Sequence, residues 1–167
     1  MKWLLIVVAL LVLLALVAVV VGLLLPKAHQ ASSKAIIGAR LEVVYAILVD
    51  FAAAPTWRRG VKKVELLAPR DGKLSFKEWG DNGEMTYVVE ESLPPRRLVT
   101  RIVDQSAFGG TWTFELTPQG EATAVEITER GEVYNPMFRF MSTFFFSPTA
   151  TLDHYLEDLK KKASNPS

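Results

Sequence analysis

The segment from Ala35 to Trp57, AIIGARLEVVYAILVDFAAAPTW, changes its hydrophobic period partway along and then breaks. Ile37, Ala39 and Leu41 alternate with Ile36, Gly38 and Arg40, which is the two-residue period of a strand. From Glu42 the spacing changes: Val43, Val44, Ile47 and Leu48 recur at steps of three and four, so a short amphipathic helix follows with an acid in its first turn. Asp50 ends that helix, Phe51 to Ala54 add one more turn at most, and Pro55 breaks the chain. Trp57 then offers a large ring with one polar N–H, suited to plugging the end of a small core.

Strands dominate what comes next. Val61 to Ala68 reads as one, Pro69 to Gly72 as a turn, and Lys73 to Trp79 as another. Gly80-Asp-Asn-Gly83 is a hairpin signal, and Glu84 to Ser92 follows with Met85, Tyr87 and Val89 on one face. Leu93-Pro-Pro95 breaks the chain before a strand from Arg97 to Gln105, in which Leu98, Thr100 and Ile102 alternate with Val99, Arg101 and Val103. Gly109-Gly110 permits a sharp turn or bulge. Thr111 to Thr117 places Trp112, Phe114 and Leu116 together, and Ala122 to Tyr134 is the last strand. Asn135-Pro136 reads as an N-cap and first-turn proline. Met137, Phe138, Phe140, Met141, Phe144, Phe145, Leu152, Tyr155, Leu156 and Leu159 share one arc of a helical wheel carried through Pro148. That phase predicts one long helix kinked at the proline.

The pattern Ile37-x-Ala39-x-x-Glu42-x-Val44-Tyr45, then Asp50-Phe51, then Pro55-x-Trp57, resembles the START-like (SRPBCC) superfamily, which includes polyketide cyclase/dehydrase-like proteins. Arg40 stands where that pattern commonly has proline, and Tyr45 where it commonly has tryptophan. The resemblance implies an α+β helix-grip fold over residues 34–162: a curved antiparallel sheet wrapped around a long C-terminal helix, with a cavity between. It also implies a small hydrophobic ligand in that cavity. Tyr87, Thr100, Trp112, Phe114, Phe138, Met141 and Phe145 are the expected lining, with Trp79 and Phe108 as further candidates.

Trp3 to Leu25 carries no charged side chain, and as a helix it would be about 35 Å long, enough to cross a hydrocarbon core of roughly 30 Å. A retained single-pass anchor is the expectation. A secretory signal is the competing reading, although its apolar core is usually shorter, about 7–15 residues. Lys2 on one side and Lys27, Lys34 and Arg40 on the other leave the orientation open. Residues 1–26 are thus read as the anchor, 27–33 as a polar linker, 34–162 as the domain and 163–167 as a disordered tail.

Absent cysteine excludes disulfides, thiolate catalysis and cysteine-type zinc sites. All but one of the 19 basic residues lie beyond Pro26, where they meet 18 acidic ones, a balance that argues against nucleic acid as a partner. No nucleophile elbow, zinc-binding His pair or phosphate loop is present, so no catalytic residue, metal or cofactor is expected. His154 falls opposite the apolar arc and reads as solvated, and Glu90 and Glu91 read as strand residues pointing opposite ways. Phe146 lies on the polar side of the arc, where it either touches lipid, guards a cavity mouth or sits under a loop. A carrier of a lipid or polyketide-like molecule is the first reading. A cyclase or dehydratase of the same superfamily is the second, and a non-catalytic interaction or stress-related module the third.

Overall fold

A computed structural model describes residues 1–81 and 83–165. Helix α1 (Lys2–Leu24) is followed by strand β1 (Ala28–Ile37), helix α2 (Leu41–Val49) and a 3-10 turn (Phe51–Thr56). Six strands come next: β2 (Val61–Arg70), β3 (Lys73–Gly80), β4 (Gly83–Leu93), β5 (Arg97–Val103), β6 (Phe108–Gln119) and β7 (Ala122–Val133). Helices α3 (Pro136–Phe145) and α4 (Ala150–Ser164) close the chain. The sheet has the order β1-β7-β6-β5-β4-β3-β2, and every neighbouring pair is antiparallel. This is the open seven-stranded sheet of the START-like helix-grip fold.

The period-two faces read from the sequence are those the register aligns. Leu98 pairs with Phe114, Thr100 with Trp112, and Tyr87 with Phe76 and Ile102, so these side chains form one continuous inner face. One half of that face is filled. Leu152, Leu156 and Leu159 of α4 and Val44, Tyr45 and Leu48 of α2 pack with Leu98, Phe114, Leu116, Val125 and Ile127. Arg59 fastens this layer, donating its backbone N–H and guanidinium to the buried Asp158 and reaching Glu157 as well. The inner faces of β3 and β4 lie beyond the reach of α4, which leaves space there.

Several expectations are corrected. Residues 28–33 are strand, not linker: β1 pairs with β7 from Ala28↔Glu132 onward, so only Leu25 to Lys27 separate α1 from the sheet. Its alternating positions carry histidine, alanine and serine, too weak an apolar signal to show a period. The C-terminal helix is two helices. Phe146 has extended backbone, and α4 starts anew at Ala150, because Pro148 has no N–H to continue the ladder. The tail begins later than expected, since Ala163 is buried and α4 runs to Ser164. Residues 166 and 167 lie outside the described residues, as does Asn82 of the expected hairpin, whose flanking Gly80 and Gly83 do pair. Glu90 and Glu91 do not alternate. A register shift between Val89 and Glu91 sets both on the outer side, where Glu90 accepts from Lys73 and Arg101, and Glu91 from Arg97.

Candidate functional site

The unfilled half of the interior is a cavity of about 890 Å³. Its walls are mostly apolar: Phe76 from β3, Met85 from β4, Leu98 and Ile102 from β5, Trp112 and Phe114 from β6. Ring contacts order these walls. Phe76 stacks between Phe51 and Tyr87, with centroids 4.2 and 5.1 Å away. Tyr155 of α4 stands at the centre of a second cluster, 5.4 Å from Trp57, 5.8 Å from Trp112 and 5.3 Å from Phe114.

One corner is charged. Arg58, just after the Pro55 bend, donates Nη1 to Glu78 of β3. The Glu78 side chain is only 7% exposed and that of Arg58 21%. The guanidinium carbon also lies 4.7 Å from the Tyr155 ring centroid. Burial pushes the Tyr155 phenol up to about 12, with Glu78 adding to the rise and Arg58 opposing it. Burial raises Tyr87 as well, again with Glu78 adding and Arg58 opposing. At neutral pH both tyrosines therefore keep their protons and can donate hydrogen bonds but not abstract protons. The corner offers phenol O–H groups, spare guanidinium N–H donors and a carboxylate already engaged. It can hold a polar or anionic group at the end of an apolar body.

All the expected lining residues except Phe145 border this space: Tyr87, Thr100, Trp112, Phe114, Phe138 and Met141 do. Phe145 is 66% exposed on the outer side of α3, against Phe140 at 6.2 Å. Within α3, Phe138 and Met141 border the cavity, while Phe144 and Phe145, in the last turn of the helix, do not. Phe108 and Phe146 border the mouth, as does His154, which is exposed but not remote from the site. Trp79 contributes only at the rim, its ring lying under the ammonium groups of Lys63 at 4.4 Å and Lys77 at 5.6 Å. His29 also reaches the rim. Its ring occupies the space over Gly131, where a Cβ would come within 2.3 Å of it, and its Nε2 is 4.0 Å from Glu129 Oε1.

Arg58, Glu78 and Tyr155 were not among the expected lining. Signals for two of them exist: Glu78 shares a period-two face with Leu74 and Phe76, and Tyr155 lies in a leucine arc. A second depression, about 1170 Å³, lies on the outer face of the sheet among Arg70, Lys73, Glu90, Arg101 and Asp104. Those charges are paired with one another, Arg70 with Asp104 and Glu90 with Lys73 and Arg101. Among the described residues no group of His, Asp or Glu is placed to hold a metal ion.

Residues 28–163 match the model of a family described as polyketide cyclase / dehydrase and lipid transport. Solved structures share the fold. A START superfamily protein from Mycobacterium smegmatis is 21% identical, with a TM-score of 0.62 over 81% of this chain and 97% of its own. The Zhui aromatase/cyclase of Streptomyces is 15% identical, TM-score 0.64, covering 82% and 94%. Norcoclaurine synthase of Thalictrum flavum is 9% identical, TM-score 0.65, covering 82% and 94%. No curated protein sequence matches.

Proposed function

The chain belongs to the polyketide cyclase / dehydrase and lipid transport family, and we propose that it binds a small hydrophobic molecule, such as a lipid or polyketide-like compound, and passes it between a membrane and the cavity. The observation that carries this is the shape of the site: apolar walls ending on Arg58, Glu78 and two protonated tyrosines. Such a pocket gains from burying an apolar body and orients it through a few polar contacts. The ligand class follows: one hydrogen-bonding or anionic end, the rest apolar. Helix α1 is long and apolar enough to cross a membrane, and a retained single-pass anchor keeps the cavity beside its supply of ligand.

Native mass spectrometry of the full chain, released from detergent or nanodiscs, tests the reading. A co-purifying apolar molecule, lost on Thr100→Phe, is the expected result. A chain that carries no small molecule and fails to bind a panel of fluorescent fatty acids, quinones and phospholipids overturns it. A second reading, a cyclase or dehydratase, draws on the same charged corner, where a phenol O–H and a guanidinium could stabilise a developing oxyanion. Turnover of a poly-β-ketone analogue, abolished by Tyr155→Phe and retained with Thr143→Ala, would establish it.

A further inference from the structure

Helix α3 does not pack like the rest of the domain. Its main helical neighbour is α1, on which it covers Ala18 and Gly22, the only buried residues of that helix. The approach is close: a Cβ on Gly22 would lie 2.0 Å from the Pro136 carbonyl oxygen. Ala18 is six residues before the last residue of α1, about 9 Å along the axis. If α1 spans a bilayer up to its end, α3 lies alongside it within the same leaflet.

The composition of α3 suits that depth. Between Glu132 and Asp153 the only charged residue is Arg139. Its side chain is buried and donates four hydrogen bonds to backbone carbonyls: Nε to Val133 O, Nη1 to Gly22 O and Leu25 O, and Nη2 to Tyr134 O. The cation thus caps the C-terminal carbonyls of α1, where the helix dipole favours it, and presents no charge outward. Ser142 Oγ and Thr143 Oγ1 both donate back to Arg139 O, which satisfies the hydroxyls inside the helix, as hydrocarbon requires. What α3 shows outward is Phe138, Phe144 and Phe145, each more than half exposed, with Phe146 just beyond. Phe138, Met141 and Phe146 border the cavity as well.

We propose that α3 is immersed in the acyl region of the leaflet, clamped to α1 by Arg139, so that the cavity mouth opens sideways into lipid and ligand enters without crossing water. The inference rests on α1 being a retained anchor. Because the chain has no cysteine, single labels can be placed at will. The full chain carrying Phe144→Cys or Phe145→Cys, labelled with an environment-sensitive nitrobenzoxadiazole and reconstituted in phosphatidylcholine/phosphatidylglycerol vesicles, is compared with Glu121→Cys in the turn between β6 and β7, at the opposite end of β7 from α3. Labels on 144 and 145 are expected to be quenched by acyl-chain nitroxide lipids roughly twofold or more above the control, and to resist aqueous iodide. Labels open to iodide and untouched by the nitroxide, in a chain that stays in the vesicles through alkaline carbonate, overturn the immersion of α3 alone. Release of the chain by carbonate overturns the anchor, and this inference with it.

Discussion

The guanidinium carbon of Arg58 stands 4.7 Å from the centre of the Tyr155 ring. That contact joins the loop after the Pro55 bend to α4 across the floor of the cavity. With Nη1 given to Glu78, the group is held by a carboxylate on one side and a π face on another. A partly buried cation held on two sides in this way is already ordered, which would lower the ordering cost of binding the proposed ligand.

Arg58→Met alone leaves the Glu78 carboxylate buried without its partner and is expected to destabilise the fold by about 3–5 kcal/mol. The double variant Arg58→Met/Glu78→Met should recover most of that loss while still binding ligand poorly. Urea unfolding of the two single variants and the double variant, followed by tryptophan fluorescence, measures the coupling. Additive losses would show that the pair acts only as two separate surface charges.

The phenols provide a second readout. Tyr155, raised to about 12, and Tyr87, also raised, should ionise after an ordinary tyrosine as alkali is added. Their native values lie above the unfolded one near 10, so this contribution to stability is complete below about pH 10 and lost as pH climbs through the native values. Absorbance titration at the phenolate band should show late steps, one of which disappears in Tyr155→Phe and another in Tyr87→Phe. An unchanged curve in both variants contradicts the burial of these rings.

Asp158 predicts the acid limb. Burial alone would raise it, but the hydrogen bonds from Arg59 outweigh burial and hold the carboxyl below its usual range. The unfolded chain therefore takes up this proton first as pH falls. The stabilisation is fully present above about pH 4 and drains away as pH drops toward the lowered native value. Asp158→Asn should flatten the dependence of the unfolding midpoint on pH below 4, relative to the parent chain, and a parallel slope in both would refute the assignment.

Leu159 and Met85 separate the filled half of the interior from the empty one. Leu159 is fully buried in the core, so Leu159→Ala is expected to cost about 2–5 kcal/mol. Met85 already borders open space, so Met85→Ala should cost about 1 kcal/mol or less and change ligand affinity instead. Paired unfolding and binding curves test both halves of the statement.

The sheet was legible because its inner face repeats with period two: Tyr87, Thr100, Trp112 and Phe114 fall on one side whatever the tertiary context. The strand–helix–bend from Ala35 to Trp57 was legible for the same local reasons. The division of the C-terminal helix was not, since a wheel records phase and says nothing about which neighbour each turn meets. The course of α3 is set by contacts remote in sequence, Arg139 with the Gly22 and Leu25 carbonyls and Pro136 against Gly22, which no local pattern records. The Arg58–Glu78 pair was hidden likewise. Each charge reads as solvated until the bend and β3 are brought together.

The split interior also says how such a chain can change its occupation. The core residues and the residues that border the cavity overlap at Leu98, Phe114, Trp112 and Tyr155 but are otherwise largely different sets. Substitutions at Met85, Ile102 or Thr100 can therefore accumulate without threatening Leu152, Ile127 or Val44, and selectivity can drift while the scaffold stays still. A scaffold so divided is ready-made for diversification.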